Sequence, residues 1–248
     1  FDINKEWLGN KIILHFDGVK SNAFVWINGK YLGYDEGGMT PAEFDITNFV
    51  VEKNNQLIVL VTRWCDGSYL EDQDMWRYSG IYRDVYLYSK PDVSISDLTA
   101  ITDFDEKYVD ANLTLNLGIT SSSALSEKYN FRFTLLDSSK KIIVSESPSI
   151  ENHSSTITKE IKQPNQWSDE KPYLYTLIVE LLNSKNETIE VIKKKIGFRE
   201  LEIIDGKACL NGKPFYIKGV NRHEHHPEYS GTVTKDIMLK DILLMKQN

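Results

Sequence analysis

The sequence predicts a mostly β protein: two successive β-domains of sandwich or barrel type, then one β/α unit. Short runs of β-branched and aromatic residues recur between Gly and Asn turns. Helical periodicity is missing until about Lys235, where the pattern changes to strand, long polar loop and amphipathic helix. The 248 residues are enough to bury ordinary cores without disulfide staples.

The elements follow in order. Residues 12–16 form a strand leading to a turn at Asp17-Gly18, and residues 23–27 form the next. Asn28-Gly29 is a two-residue hairpin signal, with residues 31–34 as the return strand. Residues 56–64 have the composition and length of one strand, and residues 83–88 alternate polar and apolar side chains. A boundary falls at Ser89-Lys90-Pro91-Asp92. Beyond it residues 112–117, 131–135, 174–182 and 188–196 read as strands, and about seven strands in roughly 100 residues is the immunoglobulin-like pattern. The Cys–Trp–Cys spacing of antibody domains is absent, so the pattern supports the architecture alone. Residues 201–204, 208–211 and 215–219 are short strands, followed by a His-rich loop and a helix from about Lys235. Thr234 can cap that helix, and Met238, Leu239, Ile242, Leu243 and Met245 give it an apolar face. A single β/α unit cannot bury its own faces, so most of such a domain is expected beyond Asn248.

Composition excludes several classes. Apolar residues make up 41% and charged residues 26%, which is neither a disordered nor a membrane-spanning profile. A net charge of −7 argues against nucleic-acid binding, which calls for a basic stripe. Cys65 and Cys209 are the only cysteines; they exclude a dense disulfide framework and, lying in or beside strands, read as inert thiols. No leader peptide is visible at Phe1-Asp2-Ile3, and three N-x-S/T sequons match what chance gives in an Asn/Ser/Thr-rich chain. Both ends read as cut, which predicts a piece of a longer protein.

Two clusters could carry chemistry. In residues 66–77 four carboxylates (Asp66, Glu71, Asp72, Asp74) lie among Tyr69 and Trp76. Aromatic faces stack on the C–H face of a pyranose while carboxylates accept from its hydroxyls, and the same oxygens suit a hard cation. A solvated acidic loop is the competing reading. The second cluster, Gly219-Val220-Asn221-Arg222-His223-Glu224-His225-His226-Pro227, follows a predicted strand. In a parallel β/α barrel that is the active-site end, where histidines could donate to hydroxyls or to developing charge. Zinc is disfavoured because adjacent His225 and His226 cannot share a helical face as His-Glu-x-x-His requires. A polar loop with structural histidines also fits. No nucleophile elbow, phosphate loop or dinucleotide fingerprint occurs.

The stretch Ser68-Tyr69-Leu70-Glu71-Asp72-Gln73-Asp74-Met75-Trp76-Arg77-Tyr78-Ser79-Gly80-Ile81-Tyr82-Arg83-Asp84-Val85 closely resembles the first-domain loop of the large bacterial β-galactosidases of glycoside hydrolase family two. Asn211-Gly212-Lys213-Pro214, the run 219–227, the run 241–248 and Gly197-Phe198-Arg199-Glu200 resemble the same family. The resemblance covers the chain from end to end except for the variable middle domain. It implies a jelly-roll sugar-binding domain over 1–91 lacking its first part, an immunoglobulin-like sandwich over 92–197, and a truncated (β/α)₈ TIM barrel over 198–248.

It also implies roles. Asp74 would contact galactose and a sodium ion, and His223 would stabilise the transition state through the sugar. The family hydrolyses terminal non-reducing β-D-galactose with retention, using one Glu as acid and base and a second as nucleophile. Both glutamates, and the magnesium ligands, would come from barrel strands beyond Asn248, so the chain alone is expected to be inactive. Glu224 sits on the wrong strand to replace either. Within the same family, a β-glucuronidase would need cationic groups for its carboxylate, against the acidic Glu71-Asp72-Gln73-Asp74 loop; a β-mannosidase is the other relative. A non-catalytic carbohydrate-binding protein fits the sandwiches but not the β/α unit, and a metal-storing protein rests on the His cluster alone. The expected partners are a galactoside and, at full length, further copies of the same chain, with no nucleic acid and no membrane. A bacterial cytoplasmic location is expected.

Overall fold

The computed structural model describes residues 1–71, 76–125 and 127–247. They fall into two units, 1–90 together with 219–248, and 91–218.

The first unit holds eight strands: β1 (Lys11–Phe16), β2 (Val19–Lys20), β3 (Ala23–Ile27), β4 (Lys30–Asp35), β5 (Ala42–Asp45), β6 (Leu57–Leu60), β7 (Gly80–Ile81) and β8 (Val85–Lys90). They pair antiparallel as β5-β1-β8, β4-β3-β6 and a ribbon β2-β7. Alternation sends Ile12, Leu14 and Phe16 of β1 and Ala23, Val25 and Ile27 of β3 into one buried cluster. The hairpin signal holds for a geometric reason: Asn28 at φ 51° and Gly29 at φ 78° occupy the left-handed region a tight β3–β4 turn requires. A short helix α1 (Ser68–Glu71) opens the acidic loop, and α2 (Lys235–Gln247) closes the chain with no buried residue. The first α2 bond runs from the Met238 N–H to the carbonyl of Thr234, so the helix starts at the expected position.

Most of the second unit is a sandwich of seven described strands with immunoglobulin-like strand content. Strands β9 (Ser94–Phe104), β10 (Ala111–Thr120) and β13 (Ser154–Ile161) make one sheet in the order β13-β10-β9. Strands β11 (Asn130–Leu136), β12 (Ile142–Glu146), β14 (Tyr175–Leu182) and β15 (Thr188–Ile196) make the other, ordered β12-β11-β14-β15. Leu113, Leu115 and Leu117 of β10 meet Phe131, Phe133 and Leu135 of β11 and Leu177, Val179 and Leu181 of β14 in one core. A small meander follows, β16 (Leu201–Ile204), β17 (Lys207–Leu210) and β18 (Lys213–Pro214). The 198–248 stretch is therefore divided: residues up to 218 belong to the second unit and the rest to the first.

Two elements depart from expectation. The strand over 56–64 stops at Leu60; beyond it the backbone bond from the Ser21 N–H to the Thr62 carbonyl is long, 3.5 Å, and side chains supply further bonds. Thr62 N–H donates to Asn22 Oδ1 at 3.0 Å, and Ser21 Oγ donates to the Arg63 carbonyl at 2.8 Å. The strand expected over 215–219 does not form; these residues are coil, with Tyr216 86% exposed. The antiparallel pairing with β17 runs out at the first of these residues, the Phe215 N–H donating to the Ala208 carbonyl at 3.1 Å, and a strand persists only through its neighbours' hydrogen bonds. Cys65 and Cys209 are both free thiols.

Candidate functional site

Trp76, near the end of the first sequence cluster, and His223 and Glu224 of the second meet in one cleft of the first unit, ≈ 310 Å³ in volume, lined also by Tyr78 to Arg83 and by Ser230 to Thr232. The ribbon β2-β7 underlies it, with Val19 opposite Ile81 and Lys20 opposite Gly80. The ribbon closes tightly because residue 18 is glycine: a Cβ there would stand 2.8 Å from Cζ of Tyr82. Tyr82 is held from several directions. Its hydroxyl donates to the Gly38 carbonyl at 2.7 Å, with Met39 Sδ 3.7 Å away. The Arg83 guanidinium lies 5.0 Å from its ring centroid and reaches Glu224 at 3.8 Å.

Aromatic rings build one wall. Trp76 stacks on Tyr78, centroids 6.2 Å apart and planes 15° apart, and on His225 at 4.9 Å and 20°. The segment after it is a closed turn, His226 and Ser230 exchanging two backbone hydrogen bonds of 2.8 Å, with His226 Nδ1 accepting from the Glu228 N–H at 3.2 Å and its ring stacked on Tyr229. Arg222 ties the loop to α2: its Nε and Nη2 donate to Asp241 Oδ2 at 2.9 and 2.6 Å.

The histidines thus take separate tasks. His223 lines the cleft, His225 stacks on the lining residue Trp76 and His226 shapes a turn. Among the described residues no three His, Cys, Asp or Glu side chains gather as a metal site. Asp74, the sodium and sugar contact implied by resemblance, lies outside the described residues. Sequence reasoning assigned nothing to Lys20, Met39 or Tyr82, all of which line the cleft. Apart from the site, His15 is clamped between two carboxylates, Nδ1 to Glu43 Oε1 and Nε2 to Asp17 Oδ1, both 2.8 Å, with Tyr86 stacked on the imidazole at 4.6 Å.

Three family profiles match in series: "Glycosyl hydrolases family 2, sugar binding domain" over residues 1–91, "Glycosyl hydrolases family 2" over 93–199, and "Glycosyl hydrolases family 2, TIM barrel domain" over 201–248. A Vibrio vulnificus β-galactosidase is 41% identical over 99% of the chain, which corresponds to 24% of that protein. A Priestia megaterium β-galactosidase is 40% identical over the whole chain and 25% of its own length. The chain therefore spans about a quarter of these curated relatives. Among solved structures, a β-glycosidase from Bacteroides vulgatus superposes with a TM-score of 0.83 at 28% identity, covering 99% of this chain and 31% of that one. The Bacteroides uniformis β-glucuronidase superposes at 0.88 and 24% identity, over 99% and 31%, a likeness of fold.

Proposed function

The chain belongs to glycosyl hydrolases family 2, and from that premise we propose that it is the N-terminal part of a retaining β-galactosidase that removes terminal non-reducing β-D-galactose from β-galactosides. One observation carries this reading: loops separated by most of the sequence converge on a single cleft that joins a stacked aromatic wall to hydrogen-bonding side chains. A pyranose needs both, an apolar platform for its C–H face and polar groups for its hydroxyls.

In this reading His223 faces the sugar and donates to an oxygen whose charge or hydrogen bonding strengthens in the oxocarbenium-like transition state. Asp74 would accept from a galactose hydroxyl and would be among the residues holding a sodium ion, which supplies positive charge beside the sugar. The two catalytic glutamates and the magnesium ligands lie in barrel strands outside this chain. Glu224 lines the same cleft and lies 3.8 Å from Arg83, but in this reading the acid/base and nucleophile come from other barrel strands.

The test uses the uninterrupted gene product on aryl β-galactoside, β-glucuronide and β-mannoside side by side. Rapid cleavage of the galactoside alone is expected, while preferential cleavage of the glucuronide or mannoside overturns the sugar assignment. In that enzyme Asp74→Asn and His223→Ala should each lower kcat/KM by about 100-fold or more with the fold intact. The 248-residue chain alone should not turn over an o-nitrophenyl galactoside.

A further inference from the structure

We propose that Lys20 is a specificity-determining residue of this cleft, its ammonium donating to one hydroxyl of the terminal sugar; the inference rests on the cleft being the galactose site. Lys20 lines the cleft yet is only 7% exposed, an unusual burial for a lysine. Its position follows from strand alternation: Val19 turns into the core cluster, so the next side chain on β2 faces the opposite side.

The residue across the ladder keeps that side open. Lys20 pairs with Gly80, and among the described residues a Cβ built on Gly80 would meet no atom within 4 Å. Gly80 also holds φ at 128°, a conformation other residues rarely adopt, so the space beside Lys20 is protected from being filled by substitution. The cleft's guanidinium has partners already, since Arg83 lies over Tyr82 and against Glu224. An ammonium carries three donors, so it can serve a protein oxygen and a sugar hydroxyl at the same time. Trp76, half in solvent on the wall of the same cleft, would take the sugar's apolar face and leave its hydroxyls to Lys20 and His223.

The experiment is a substrate–variant cycle on the full-length enzyme. kcat/KM is measured for aryl β-galactoside and its 2-, 3-, 4- and 6-deoxy analogues with wild type, Lys20→Met and Lys20→Arg. Thermal unfolding reports the fold. Lys20→Met should lose about 10- to 100-fold on the parent galactoside, the scale of a charge-assisted hydrogen bond. On one deoxy analogue it should lose nothing further, because the partner hydroxyl is already gone; Lys20→Arg should recover part of the loss. The proposal is overturned by wild-type activity in Lys20→Met, or by an equal fold-loss on all five substrates, which marks a structural role. Should Lys20→Met unfold the enzyme, Lys20→Arg carries the same comparison, with an altered preference among the deoxy analogues supporting the proposal and an unaltered one overturning it. A wild-type enzyme inactive on the parent galactoside but active on another glycoside fails the galactosidase reading instead, and the cycle then runs on the deoxy analogues of that sugar.

Discussion

The indole of Trp76 lies nearly parallel to the imidazole of His225, ring centroids 4.9 Å apart and planes 20° apart. One ring comes from the acidic loop's end and the other from the His-rich loop, so this contact joins the two clusters that build the cleft. A stacked aromatic pair contributes about 0.5–1.5 kcal/mol beyond its burial. The pair leaves Trp76 55% exposed, with indole surface still free for a ligand.

Replacing that indole tests the platform. In the full-length enzyme Trp76→Ala should raise KM for an aryl galactoside about tenfold or more and destabilise the fold by no more than about 1 kcal/mol, because half the ring is already in water. Trp76→Phe should recover most of the affinity. Steady-state kinetics on the three proteins decide it, and an unchanged KM in Trp76→Ala would remove the indole from the binding surface.

Much of this architecture was legible in the sequence. Asn28-Gly29 marks its hairpin because a left-handed pair joins two twisted strands in two residues, and β10 and β11 show their buried faces through plain alternation. Strands such as β13, with the sequence SSTITKEI, were not, since an edge strand with a largely polar face loses the alternation that marks burial. Each cluster in the cleft was visible as a cluster, but their meeting was not: local periodicity carries no information about contacts between residue 76 and residue 225. Lys20 was hidden for a related reason. Asp17-Gly18 reads as a turn, and only the pairing of Val19 with Ile81 shows that a two-residue strand follows it.

Gly18 should tolerate no side chain. A methyl there would stand 2.8 Å from Cζ and 2.9 Å from Oη of Tyr82, a ring that cannot retreat while its hydroxyl holds the Gly38 carbonyl. Gly18→Ala should cost about 1–3 kcal/mol, the usual range for overpacking, and should raise KM by displacing the ribbon under the cleft. In a Tyr82→Ala background the same Gly18→Ala change should cost less than in the wild type, because the ring that the methyl meets is gone. Equal penalties with and without the ring, read by denaturant unfolding, would show that the clash is not the cause.

The His15 clamp makes stability pH-dependent. Burial alone would push the imidazole pKa down, but hydrogen bonds to Glu43 and Asp17 outweigh it and hold the pKa above its usual value. Burial would likewise raise Glu43, yet hydrogen bonds from His15 and Tyr88 hold it below the ordinary carboxylate range. Tyr86 and Tyr88 complete the surroundings, Tyr88 pushed up to about 12 by burial and by Glu43. A raised His pKa gives stability that is complete below about pH 6.5 and is lost as pH rises through the folded value. The depressed Glu43 gives stability present above about pH 4.3 and lost as pH falls through its folded value. Thermal unfolding should therefore show this cluster's contribution at its greatest between those limits, declining on the alkaline side. His15→Gln should lower the plateau by about 1 kcal/mol, a modest figure because Glu43 and Asp17 are partly solvated, and should flatten the alkaline decline. An unaltered alkaline limb in that variant would assign the decline to other groups.

Helix α2 presents Leu239, Ile242, Leu243, Leu244 and Met245 half-exposed, with no residue of the helix buried. Contiguous apolar surface of that kind is normally covered by a partner or by further chain. The 248-residue chain by itself should therefore associate as its concentration rises, seen as a concentration-dependent mass in sedimentation, and should bind a hydrophobic dye. Leu239→Lys with Ile242→Lys should restore a monomer and reduce dye binding, at little cost to the fold because both sites face solvent already. The Arg222–Asp241 pair should be unaffected, so the His-rich loop keeps its anchor while the face is neutralised. A monomer at every concentration, with α2 amides strongly protected from exchange, would mean the helix covers this face against its own chain.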